Sequence, residues 1–125
     1  MSVLRAVDLF SCIGCHALGF QRAGIETVQF VEINPARRRV LAANFPGIPI
    51  HDDIRTYSDS SADIIADIVI GGPPCQRTSV AAAIHGYRDN ASLWPDMLFA
   101  VRLLRPDWVV VEQPPGKLGV GSASC

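Results

Sequence analysis

Asp67-Ile68-Val69-Ile70-Gly71-Gly72-Pro73-Pro74-Cys75-Gln76 is the stretch from which the rest of the chain can be read. A short apolar run ends in two glycines, two prolines and a cysteine, the pattern of a buried strand that stops abruptly. The prolines stiffen the connection and leave Cys75 on a rigid shelf just past the strand end. Ligands of open α/β sheets collect outside the carboxyl ends of the strands, so a thiol there is placed for chemistry. Structural burial is the commoner fate of a cysteine, but the polar Gln76-Arg77-Thr78-Ser79 that follows argues against it.

Upstream, residues 3–10 read as a first strand and the segment through Leu18, Phe20 and Ala23 as a helix that stops at Gly24. The β-branched, alternating residues 27–31 predict a second strand ending at Glu32. Asn34-Pro35 supplies a cap and a proline at the first helical position. The helix over 36–45 should turn Val40, Leu41 and Phe45 inward and Arg37, Arg38 and Arg39 outward, and Pro46-Gly47 breaks it. Residues 48–50 form a short third strand, and the Ser-rich 57–62 a loop or one helical turn. Downstream, 79–90 is a loop around Gly86 within which 80–84 can form a short helix. Residues 93–104 are amphipathic, with Leu93, Met97, Ala100, Val101 and Leu104 on one face, and 107–112 is a fifth strand.

Strands alternating with helices at this spacing predict parallel strands and right-handed crossovers, hence a doubly wound α/β fold with a mostly parallel sheet. Asp8, Glu32, Asp53, Cys75 and Glu112 then each fall at or just after the carboxyl end of a strand. In a parallel sheet those ends share one edge. Five hydrogen-bonding or reactive side chains along it predict a cleft for a cofactor and a substrate.

The chain has 125 residues, enough for one compact domain. At 49% hydrophobic and 18% charged it is globular. No apolar run approaches the roughly 20 residues that span a bilayer, and the amino terminus lacks a signal pattern, so a cytoplasmic protein without a membrane role is expected. Four cysteines in such a compartment are read as free thiols, ligands or nucleophiles. The net charge of −1 lacks the positive excess of most nucleic-acid-binding domains. If the chain works on nucleic acid, most of the phosphate-gripping surface lies elsewhere.

The turn Asp8-Leu9-Phe10-Ser11-Cys12-Ile13-Gly14-Cys15 stands where nucleotide cofactors meet the backbone, but it lacks the glycine density of a pyrophosphate cradle. An uncharged or cationic cofactor tail fits it better than a dinucleotide. Glu32 suits the two hydroxyls of a ribose, and Asp53 the exocyclic amine of an adenine. Cys12-Ile13-Gly14-Cys15-His16 also satisfies the C-x-x-C-H signature of c-type haem, and its cysteines could hold a structural zinc. Haem attachment needs export, and His16 would have to leave the helix it begins. Two small side chains at a tight turn is the preferred reading, with no metal.

The ordered motifs resemble the DNA cytosine-5 methyltransferases. Asp8-Leu9-Phe10-Ser11 resembles that family's first cofactor motif, and Glu32-Ile33-Asn34-Pro35 with Asn44-Phe45-Pro46 its second. Asp53-Ile54 is similar to the third, Gly72-Pro73-Pro74-Cys75-Gln76 matches the catalytic loop, and Glu112 with Pro115-Gly116 resembles the glutamate motif. The resemblance implies an S-adenosylmethionine-dependent, Rossmann-like methyltransferase fold, incomplete here, with Cys75 and Glu112 catalytic. It implies a cofactor site of Asp8, Phe10, Ser11, Gly14, Glu32, Ile33, Asp53, Ile54 and Pro73. The implied substrate is a flipped cytosine in DNA, the setting restriction-modification in a prokaryote or phage, and the location cytoplasmic.

Several positions depart from the family. Cys12 and Cys15 stand where it carries glycines, and cysteine adopts positive φ only at a cost. Arg77-Thr78-Ser79 replaces an aromatic-Ser pair, Gln113-Pro114 follows Glu112 in place of Asn-Val, and Asn90 stands for an arginine. The family's Gln-x-Arg strand, target-recognition region and closing segment have no counterpart. The expectation is a cofactor and catalytic-loop part over 1–115 and an irregular tail over 116–125, truncated and inactive alone unless a second polypeptide complements it. The alternative is a non-catalytic S-adenosylmethionine-binding or interaction module.

Overall fold

A computed structural model describes residues 2–74 and 93–113. Five parallel strands, β1 (Arg5–Leu9), β2 (Glu26–Val31), β3 (Ile50–His51), β4 (Ile68–Gly71) and β5 (Trp108–Val111), form one sheet in the order β3-β2-β1-β4-β5. The helices are α1 (Cys15–Arg22), α2 (Pro35–Asn44) and α3 (Trp94–Leu104), with a 3-10 turn at Ile54–Thr56. The expected doubly wound α/β fold is present. Strand order reverses direction between β1 and β4, and the crevice at such a switch point is where these sheets bind ligands. No described helix is long and apolar enough to cross a membrane.

Alternation along β1 sets the two faces. Val7 and Leu9 join Val31, Val69, Met97, Ala100 and Leu104 in the larger core, under α3. On the other face Ala17, Phe30 and Leu41 form a smaller core sealed by Phe45. Asp8 shares that face, which points it at α1. The predicted inner stripe of α3 is the observed one, since Met97, Ala100 and Leu104 are buried. Gly71 admits this packing: a Cβ there would stand 2.9 Å from Met97 Cε.

The amino end of α2 is as read, because the Asn34 side chain accepts from the N–H groups of Ala36 and Arg37 and Pro35 opens the helix. Its inner face is narrower than expected. Leu41 is buried and Phe45 half-buried, but Val40 is exposed. Arg38 folds back so that Nη1 donates to the carbonyls of Glu32 and Ile33. In α1 the inward residue is Ala17, while Leu18 and Ala23 face solvent. Residues 57–62 form the expected loop, closed by Ala62 N–H donating to the Ser58 carbonyl, and a 3-10 turn precedes it at Ile54–Thr56, where Asp53 caps it through Arg55 N–H. The loop over 79–90 and the tail over 116–125 lie outside the described residues.

Candidate functional site

The β1–α1 turn is built from three residues with left-handed backbone, Phe10 (φ 58°), Cys12 (φ 54°) and Gly14 (φ 94°). Gly14 is required twice over. It adopts positive φ, and a Cβ on it would stand 2.5 Å from the Phe45 ring. The cost expected for both cysteines falls on Cys12 alone, since Cys15 opens α1 with ordinary helical backbone. Ser11 pins the turn to β2. Its N–H donates to the Val31 carbonyl, its hydroxyl to the Asp8 carbonyl, and it accepts from Val31 N–H.

Glu32 stands just past β2 and is buried. Its Oε1 accepts from Cys12 N–H at 2.8 Å and its Oε2 from Asn34 N–H at 2.8 Å. One carboxylate therefore ties the β1–α1 turn to the β2–α2 turn. Hydrogen bonds to an ionised acceptor are the stronger kind, so the brace is substantial.

Asp8 is fully buried behind this brace. Its Oδ1 lies 3.4 Å from His16 Nδ1, and its Oδ2 has no hydrogen-bond partner among the described residues. Burial pushes its carboxyl up to about 6, a push opposed by His16 and reinforced by the charge of Glu32. Both cysteine thiols of the turn are free and exposed.

The third strand end differs in kind. Asp53 is engaged by Arg55, whose Nε and Nη2 lie 2.9 and 2.8 Å from its two carboxylate oxygens. Those bonds hold its carboxyl below the usual range. Ile54 is buried in the larger core, so its side chain does not line a cleft. Ile33 projects into solvent at 58% exposure, an apolar surface beside Glu32, and Phe10 is half-buried above the turn.

At the β4 and β5 ends, Glu112 lies across Gly72. A Cβ on Gly72 would stand 2.9 Å from Glu112 Oε2 and 3.1 Å from its carbonyl oxygen. Gln113 Nε2 donates to the Pro73 carbonyl at 2.8 Å. Cys75 lies outside the described residues, two positions beyond Pro73. Every residue of β5 is exposed, from 67% at Trp108 to 41% at Val111. A Trp-Val-Val-Val strand has the composition of an interior strand covered on both faces, and among the described residues nothing covers it.

Of the residues expected at the site, Asp8, Phe10, Ser11, Gly14, Glu32 and Ile33 stand at the β1 and β2 ends, and Pro73 with Glu112 at the β4 and β5 ends. Asp53 stands at the β3 end, bound to Arg55. Two residues escaped the sequence reading. His16 was read only as a possible ligand, although in α1 it comes up beside Asp8. Gln113 was noted as a replacement without a role, because its partner is 40 positions away.

The family model for C-5 cytosine-specific DNA methylase matches residues 4–116. The chain is 34% identical over 117 residues to the type II methyltransferase M2.BsuMI of Bacillus subtilis, covering 90% of this chain and 29% of that protein. It is 36% identical over 118 residues to M1.HphI of Haemophilus parahaemolyticus, covering 87% and 32%. Against M.HgiGI of Herpetosiphon aurantiacus it is 32% identical over 113 residues, covering 87% of this chain and 89% of that one. Among solved structures, a candidate DNA modification methyltransferase encoded within an E. coli prophage superposes with a TM-score of 0.75 at 28% identity, over 96% of this chain and 34% of that one. Dnmt2 of S. pombe shares the fold at a TM-score of 0.74 and 20% identity, over 98% and 38%. The chain thus spans about a third of the length of most of these relatives.

Proposed function

The chain belongs to the C-5 cytosine-specific DNA methylases, and from that membership we propose that it forms the cofactor-binding and nucleophile-bearing part of an enzyme that methylates carbon 5 of cytosine in DNA. The observation that carries the reading is the Glu32 brace at the switch point of the sheet. A buried carboxylate there retains lone pairs beyond those given to Cys12 and Asn34, and these accept the two hydroxyls of a ribose. Ile33 offers its exposed side chain to the flat face of an adenine. Asp53, kept ionised by Arg55, accepts from the exocyclic amine, with Ile54 contributing backbone only. Asp8, Phe10, Ser11 and Gly14 shape the turn against which the rest of the cofactor lies. Fit to S-adenosylmethionine is favourable: the set is rich in acceptors and poor in the stacked amides that a pyrophosphate needs.

Bound S-adenosylmethionine would supply an electrophilic methyl group. Carbon 5 of cytosine is too electron-poor to take it directly. A Cys75 thiolate adding to carbon 6 places electron density on carbon 5, which then attacks. Glu112 hydrogen-bonds ring nitrogen 3 and the exocyclic amine, stabilising the charge that addition creates. Loss of the carbon 5 proton and of the thiol restores the ring. The cytosine must leave the helix to reach Cys75.

Charge and length argue that the 125-residue chain does not do this unaided. Phosphate neutralisation carries most non-specific DNA affinity, and a net −1 offers little of it. We place the missing recognition surface on further polypeptide, continuous or complementing, working in a prokaryotic cytoplasm. The test has two arms. By calorimetry the chain should bind S-adenosylmethionine and S-adenosylhomocysteine but not NAD; no binding, or equal binding of NAD, rejects the cofactor assignment. Completed with the remainder of a type II relative, it should trap a covalent adduct with DNA containing 5-fluorocytosine. The adduct should vanish in Cys75→Ser, and its survival there rejects the nucleophile.

A further inference from the structure

The two groups assigned to chemistry stand on different strand ends. Glu112 follows β5, and Cys75 follows the two prolines after β4. Something must hold those ends in one register. Ladder bonds between β4 and β5 run out at Glu112 N–H to the Gly71 carbonyl, 3.1 Å. Beyond Gly72 the β4 side cannot extend the ladder, because Pro73 and Pro74 have no N–H to give. Any further tie must be donated from the β5 side. The Gln113 side chain makes that donation, reaching Pro73 across 40 positions of sequence at 2.8 Å.

We propose that Gln113 is a positioning residue, whose amide holds the Pro73 carbonyl so that the Pro-Pro shelf and Glu112 keep one geometry. Its chemistry matches the task. An asparagine is one methylene shorter, and an ionised glutamate has no proton to donate. The far end of the same amide is informative: Gln113 Oε1 is buried and has no hydrogen-bond partner among the described residues. A side chain retained only for stability would be expected to satisfy both ends of its amide. Here one end is spent on the shelf, and the other has no partner among the described residues. Glu112 completes the clamp by lying across Gly72, where no Cβ keeps it away.

The inference rests on the proposed function only for what Cys75 is for. Thiol alkylation needs neither cofactor nor DNA, so its outcome is separable from that of the binding test. In the full 125-residue chain, carboxymethylation of Cys75 would be followed by peptide mass spectrometry, with Cys12 and Cys15 in the same molecules as internal references. Releasing the shelf in Gln113→Ala should speed Cys75 by about three- to tenfold, the factor of one hydrogen bond of ordinary net strength, leaving Cys12 and Cys15 unchanged. Gln113→Asn should behave like Gln113→Ala. Gln113→Glu should also do so at pH 7.5, where its carboxyl is ionised and cannot donate. An unchanged Cys75 rate in Gln113→Ala overturns the proposal. So does an equal acceleration of all three thiols, which marks general loosening, or a Gln113→Glu variant that keeps the wild-type Cys75-to-Cys12 ratio at pH 7.5.

Discussion

The two halves of the carboxyl edge are built to different standards. At the β1 and β2 ends, Asp8, Ser11 and Glu32 are buried, and every backbone N–H that Glu32 reaches is satisfied by it. At the β4 and β5 ends, Glu112 and every residue of β5 are exposed, and among the described residues one side-chain hydrogen bond joins the two ends. Burial turns a carboxylate into a structural member, whereas exposure leaves it free to act on something else. The β1 and β2 half is braced from within this stretch of chain. The β4 and β5 half is uncovered among the described residues.

The sharpest test of that contrast pairs two identical truncations. Glu32→Ala leaves two backbone N–H groups of partly buried turns without acceptors, each costing on the order of 1–3 kcal/mol. A total loss of about 2–5 kcal/mol in urea unfolding is expected. Glu112→Ala removes an exposed side chain and should stay within about 0.5 kcal/mol of wild type. Comparable losses for the two would break the contrast.

Asp8 sharpens it through pH. Its carboxyl is raised from 3.8 to about 6, so the folded chain holds this proton more tightly than the unfolded chain does. The stability this provides is fully present below pH 3.8 and is lost as pH rises through 6. Two units correspond to roughly 3 kcal/mol at most, and less when the neighbouring groups relax. Asp8→Asn, which carries no charge to bury, should therefore be more stable than wild type by about 1–3 kcal/mol at pH 7.5. Its advantage should shrink by about 1 kcal/mol at pH 5. Urea midpoints of both proteins at the two pH values measure this, and a constant difference would mean that Asp8 is not the group titrating.

Much of this was legible in the sequence because strand ends are punctuated locally. Gly24, Asn34-Pro35, Pro46-Gly47 and Gly71 to Pro74 stop or start elements by backbone chemistry alone, and alternation of strands with helices implies that the strands run parallel. Glu32 was found by position, but its role as a brace was not, since that depends on where Cys12 N–H points in a turn with left-handed backbone at Phe10 and Cys12. Ile54 was assigned to the cofactor by motif, yet its side chain is core. Val40 was turned inward by hydropathy, whereas Arg38 reaching back to the Glu32 and Ile33 carbonyls fixes α2 in a rotation that exposes it. What escaped was long-range pairing, Gln113 with Pro73 above all, which no local pattern encodes.

The smallest expected effect divides the two cysteines of the first turn. Both stand where related sequences were expected to carry glycine, so sequence reasoning treats Cys12→Gly and Cys15→Gly alike. The backbone does not. Cys12 sits at φ 54°, a conformation that costs an L-residue with a Cβ roughly 1–2 kcal/mol. Glycine removes that cost and returns about 0.5–1 kcal/mol of it as extra freedom in the unfolded chain. Cys12→Gly should therefore stabilise by about 0.5–1 kcal/mol. Cys15 opens α1 as an exposed, unstrained helical residue, where glycine costs up to about 1 kcal/mol. Paired melts of the two variants measure the difference. Cys12 N–H is also the donor to Glu32 Oε1, so a relaxed turn should hold that carboxylate at least as well, and S-adenosylmethionine affinity by calorimetry should not fall in Cys12→Gly. Stabilisation by both variants, or by neither, would show that the left-handed backbone of Cys12 is not what sets the stability of the turn.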